Sequence, residues 1–130
     1  MKKLLLSMQL LFLSILMLQA QTIVTIGNGT TGANYLPVAT YYKYSFSEQI
    51  ILADEYTAAG GVTGYISSIG FQYIYGIEQT KDPVSIYIGT TSDTTFSTTQ
   101  FIPTTNMTLV YEGPITFNNS GTNYWVTIPF

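Results

Sequence analysis

Two short runs in the middle of the chain set the pattern for the rest. Within Gly64–Thr91, Ile69, Phe71, Tyr73 and Tyr75 alternate with Gly70, Gln72 and Ile74. A little further on, Val84, Ile86 and Ile88 alternate with Ser85, Tyr87 and Gly89. A two-residue period of β-branched and aromatic side chains is what a strand with one buried face requires. Between the runs, Gly76–Pro83 carries a glycine, all the local charge and a proline suited to the first position of a strand. The spacing predicts a β-hairpin with a long loop.

The flanking segments read as further short strands. Gln21–Ile26 is a first strand, followed by a Gly/Asn/Thr turn from Gly27 to Asn34. That turn lacks the Lys-Ser/Thr ending of a phosphate loop and the glycine spacing of a dinucleotide fingerprint. Tyr41–Phe46 predicts a strand with Tyr42, Tyr44 and Phe46 on one side. Helix and strand compete over Glu48–Tyr56, and the β-rich neighbours together with the stop at Thr57–Gly61 favour a strand at Gln49–Leu52. The Ser/Thr-rich run from Gly89 to Asn106 has no period and reads as a crossing between sheets, plugged by Phe96 and Phe101. Met107–Tyr111 and Gly113–Phe117 are two short strands, Asn118–Asn123 a turn, and Tyr124–Phe130 a last strand with Tyr124, Val126 and Ile128 on one face. No helix and no internal repeat is predicted. About seven short strands separated by polar turns argue for an all-β fold, an antiparallel β-sandwich.

The first twenty residues stand apart. Lys2 and Lys3 precede an apolar stretch, Leu4–Leu18, and Leu18-Gln19-Ala20 fits a cleavage site. This is the pattern of a secretory signal peptide, too short and wrongly flanked for a spanning helix. The expected organisation is a signal peptide over residues 1–20 and one β-sandwich module over residues 21–130, with no membrane span after removal of the signal. The expected location is secreted, extracellular or at the cell surface. With no cysteine in the sequence, a lipid anchor at the cleavage site is ruled out.

Charge and missing residue types narrow the function further. Without Lys2 and Lys3, two lysines (Lys43 and Lys81) face seven acidic residues, two minus seven or −5, and there is no arginine. Such a chain does not neutralise a phosphate backbone, so neither nucleic acid nor an anionic membrane surface is an expected partner. The sequence holds no Cys and no His. A thiol nucleophile, a Ser-His-Asp triad, an imidazole base and a thiolate or imidazole zinc site are therefore excluded. No disulfide staples the domain, and its stability rests on a core rich in Tyr, Phe and Ile.

Taken in order, TIVTIGNGTTGANYLPV, YYKYSFSEQIILADE, ISSIGFQYIYG, DPVSIYIGTTSDTTF and YWVTIPF resemble a module of large secreted and cell-surface proteins of Bacteroidota. In those proteins it sits near the N-terminus, behind the signal peptide. The resemblance covers nearly all of residues 21–130 and implies a jelly-roll, adhesin-like sandwich that accompanies surface proteases, glycosidases and attachment proteins. It brings no catalytic residue set. In the family, the strand matching VTIPF is followed by a turn and another apolar strand. The departure at Phe130 implies an N-terminal fragment lacking its last strand or strands, with an open edge that invites strand addition by another chain. Asp93-Thr94-Thr95 also looks like the O-glycosylation site used by that group, which makes Thr94 a candidate for modification.

The candidate sites follow from residue type. Tyr35, Tyr41, Tyr42, Tyr44, Tyr65, Tyr87 and Trp125 include several that alternation turns outward, where an aromatic face stacks on a sugar ring. Of these, Trp125, Tyr87, Tyr65 and Tyr44 are the candidate ligand-binding set. The competing reading is that the tyrosines cover the sheet and pair across strands. Asp54, Glu55, Glu78, Asp82 and Asp93 offer oxygen ligands for Ca²⁺, but they are scattered and form no EF-hand loop, so no cofactor is expected. A pair of catalytic carboxylates needs a cleft that so small a sandwich scarcely provides. The expected function is therefore non-catalytic attachment to a polysaccharide or surface protein. Carbohydrate binding through exposed Tyr and Trp, or a pure structural spacer, is the alternative.

Overall fold

The computed structural model of the chain describes residues 21–28, 36–39, 41–74, 77–97, 101–118 and 124–130. Residues 1–20, expected to be a signal peptide, lie outside the described residues, as do Tyr35, Tyr75, Gly76, most of the Gly27–Asn34 turn and Asn119–Asn123. The described chain is all-β with one short helix. Strands β1 (Ser68–Tyr73) and β4 (Tyr124–Pro129) form one antiparallel pair, and β2 (Gln79–Ile88) and β3 (Thr108–Phe117) form another. Helix α1 covers Ala53–Ala58, and a single 3₁₀ turn covers Thr104–Asn106. Among the described residues no helix is long and apolar enough to cross a membrane.

The alternation read from the sequence selects the faces correctly. Ile69, Phe71 and Tyr73 of β1 lie opposite Ile128, Val126 and Tyr124 of β4 in register, so six apolar side chains share one face. Val126 and Ile128 are buried, as are Tyr73, Ile115 and Phe117, and these five form the core. Val38, Val84, Ile86 and Tyr111 pack against the cluster, so both strand pairs contribute to one interior. The Tyr73 and Phe117 rings meet at 5.0 Å between centroids and join the two pairs directly. Tyr124 closes on Tyr73 from the side, edge to face at 5.5 Å.

The central hairpin does not form. β1 pairs with β4 and β2 with β3, so the chain leaves one pair for the other after Tyr73 and returns at Tyr124. Period-two alternation fixes which face is buried but not which strand lies alongside. The link between β1 and β2 is held by the Tyr73 hydroxyl, which donates to the Ile77 carbonyl at 2.9 Å and accepts from Gln79 Nε2 at 3.3 Å. Tyr73→Phe keeps the ring and removes both bonds. A loss of about 1–2 kcal/mol is expected in urea unfolding; an unchanged midpoint would show that the link does not depend on them.

β2 starts earlier than the proline suggested, and β3 is one strand where two were expected. Both differences have the same cause. Lys81 faces Ile115 and Val84 faces Gly113, so Asp82 and Pro83 on β2 oppose the single residue Pro114 on β3. This is a bulge, with two residues set against one. Both prolines, which have no N–H to give, fall where the ladder is already interrupted. Gly113 has φ 156°, and a side chain there would bring Cβ to 3.3 Å from the Tyr111 hydroxyl. That hydroxyl folds back over Gly113 and donates to the Pro114 carbonyl at 2.6 Å.

The segments ahead of β1 depart furthest from expectation. Gln21–Ile26, Tyr41–Phe46 and Gln49–Leu52 are not strands, and a helix begins at Ala53 instead. Alternation produces a strand only where a neighbouring edge takes up its hydrogen bonds, and Ile23, Tyr41, Tyr44 and Ile51 stay exposed. The helix is held by local polar contacts rather than by burial. Glu55 Oε2 accepts from the Leu52 N–H at 3.0 Å, and Thr57 Oγ1 donates to the Ala53 carbonyl at 2.8 Å. Asp54 and Glu55 in the first turn suit the helix dipole, and Gly60 at φ 88° ends it. The connection after Ile88 contains no strand among its described residues, as expected, but Phe96 and Phe101 are not plugs. Both are exposed, and Phe101 stacks edge to face on Phe46 at 4.6 Å.

Candidate binding surface

The aromatic candidates are all exposed, each for a different local reason. Trp125 sits on the outward face of β4, 52% exposed, facing Gln72 of β1. Its ring lies against Gly70, where an added methyl would meet Trp125 Cε3 at 3.4 Å. Tyr87 is on the outward face of β2, where the register with β3 shifts again between Ile86 and Tyr87. Tyr65 lies ahead of β1 and is fully exposed. Tyr44 belongs to the bent segment 41–44 and is 83% exposed.

No ring contact links Trp125, Tyr87, Tyr65 and Tyr44 among the described residues. Trp125 and Tyr87 stand on the outer faces of different strand pairs, which the shared core separates. Tyr73, Tyr111 and Tyr124, outside the candidate set, pack in or on the core.

The acidic candidates do not converge either. Among the described residues no three of Asp, Glu, His or Cys gather closely enough to hold a metal ion. Glu55 is engaged in capping α1. Glu48, absent from the calcium set, is the more constrained carboxylate: its Oε2 accepts from the Ile102 N–H at 2.9 Å, while Oε1 is buried without a hydrogen-bond partner among the described residues. Thr94 lies in an exposed bend beside Asp93, whose N–H is taken by Thr91 Oγ1 at 3.1 Å.

Sequence reasoning missed the lysines. Lys43 Nζ lies 5.7 Å from the centroid of the Tyr44 ring, within cation–π range. Lys81, on β2, extends its Nζ to the Tyr42 carbonyl and donates to it at 3.0 Å. The two residues are far apart along the chain, so no spacing signals the juxtaposition. Tyr41 and Tyr42 meet edge to face at 5.3 Å in the same segment. Comparison of the chain with protein-family models, with curated proteins and with solved structures found no match.

Proposed function

We propose that this protein is a non-catalytic attachment module of an exported surface protein, a β-sandwich of the jelly-roll kind delivered through a cleaved signal peptide at residues 1–20. One observation carries the reading. Tyr41, Tyr44, Tyr65 and Trp125 are each more than half exposed, although the two strand pairs already share a core that does not use them. Large aromatic side chains left outside the packing are suited to contacts with another molecule, since they bring much area and few rotatable bonds. The lack of Cys and His removes the commonest nucleophiles and bases from the same surface.

Retention on insoluble material tests the proposal. Full-length protein is incubated with cellulose, chitin, pectin and protein-coated beads, and the bound fraction is measured against uncoated beads. Retention on at least one of these is expected, reduced at least about tenfold in the quadruple alanine variant of Tyr41, Tyr44, Tyr65 and Trp125, in line with the dominance of aromatic anchors at binding surfaces. No retention anywhere, with the fold intact by circular dichroism, would leave the module as a spacer.

A further inference from the structure

The segment 41–44 brings together groups that are rare in this chain. Besides Lys2 and Lys3, Lys43 and Lys81 are its only cations. Both meet here, one within the segment and one reaching it from β2. Because Lys81 Nζ is bonded to the Tyr42 carbonyl, bond lengths keep the two ammonium groups within about 12 Å of each other. All seven carboxylates of the sequence lie among the described residues, and none forms an ion pair with either lysine. An ammonium has three donors, and the bond to the Tyr42 carbonyl occupies one of those on Lys81. Beside these charges stand the Tyr41 and Tyr44 rings, 85% and 83% exposed.

From this juxtaposition we infer that Tyr41, Lys43, Tyr44 and Lys81 form a binding site for an acidic polysaccharide, a polymer of uronate sugars. The inference rests on the attachment reading and narrows it to one ligand class. A sugar ring stacks on the open face of Tyr41 or Tyr44, while Lys43 and Lys81 hold carboxylates of the polymer. Charge complementarity favours this occupant over others. A neutral glycan would use the rings but neither ammonium charge. A nucleic acid duplex carries one charge per about 1.7 Å of its axis, far closer than two lysines engage. A uronate chain offers spaced single charges with apolar ring faces between them, and the segment offers both cations and exposed aromatic rings.

Affinity electrophoresis tests it. Full-length protein is run in native gels containing polygalacturonate or the neutral polymer hydroxyethylcellulose. Retardation by polygalacturonate alone is expected, weakening as salt is raised to about 0.3 M, because exposed charge pairs are screened within a few ångströms at that strength. Tyr44→Ala is expected to weaken the interaction about tenfold or more and Lys43→Gln about threefold, as exposed ion pairs contribute modestly. Ile23→Ala, an exposed apolar change elsewhere, is expected to leave it unaltered. Lys43→Gln carries more weight than Lys81→Gln, which also removes the bond to Tyr42. Equal retardation in both gels, or retardation untouched by Tyr44→Ala and Lys43→Gln, would overturn the assignment. So would no retardation by polygalacturonate. If the protein is nevertheless retained on a neutral polymer or protein-coated bead, only the ligand class falls; if it is retained nowhere, the attachment reading falls with it.

Discussion

A chain ending at Asn123 is expected to lose cooperative unfolding altogether. That truncation removes β4, the strand that pairs along the whole of β1 from Ser68 to Tyr73. It takes two of the five core side chains, Val126 and Ile128, which are 8% and 4% exposed. Burial of each stabilises the fold by about 1.5–3 kcal/mol. The lost ladder leaves the β1 backbone groups on that edge without protein partners. Together these losses are comparable with the whole stability of a small domain, about 5–15 kcal/mol. Urea titration followed by near-ultraviolet circular dichroism reads the result. A sigmoidal transition at the full-length midpoint would mean that β1 finds its partner elsewhere, as the expected hairpin with β2 would have provided.

Phe117→Ala is expected to destabilise the protein by about 3–5 kcal/mol, the range for truncating a buried phenylalanine. Phe117 is 5% exposed at the end of β3, and its ring lies 5.0 Å from that of Tyr73 on β1. It therefore bridges the two strand pairs, and a cavity there weakens both. With a urea dependence of roughly 1–3 kcal/mol per molar for small domains, the midpoint shifts by a molar or more. Phe101→Ala provides the comparison, because its stacking on Phe46 takes place at the surface. A similar shift in the two variants would place the core somewhere other than between the pairs.

The sequence told faces from backs where strands form. Ile69, Phe71, Tyr73, Tyr124, Val126 and Ile128 all alternate as read and all turn to the core. Strand partners were not legible, because alternation is a property of one strand and pairing a property of two. Proline and glycine misled at β2 and β3 for a related reason. Pro83 and the Gly113-Pro114 pair look singly like strand starts, and only their opposition across the ladder makes them a tolerated bulge inside longer strands. Over Glu48–Tyr56 the pattern sets a helix against a strand and favours the strand; the helix that forms, α1, buries none of its residues and so leaves no apolar stripe to tip the choice. In the proposed binding surface, the exposed aromatics were legible as types, whereas the approach of Lys81 to the segment holding Lys43 arises only from folding.

The β1–β4 pairing has a consequence in time. Synthesis delivers β1 first and β4 last, with the whole β2–β3 pair emerging between them. During that interval the β1 edge has a register partner that does not yet exist, and closing so long a loop is slow compared with forming a local hairpin. Loop closure thus favours assembly of the inner pair before the outer pair seals it. Where many copies are made side by side, the waiting edge of one is matched, residue for residue, to the last strand of its neighbour. Exchange of that strand between copies is the misassembly to which this topology is most exposed.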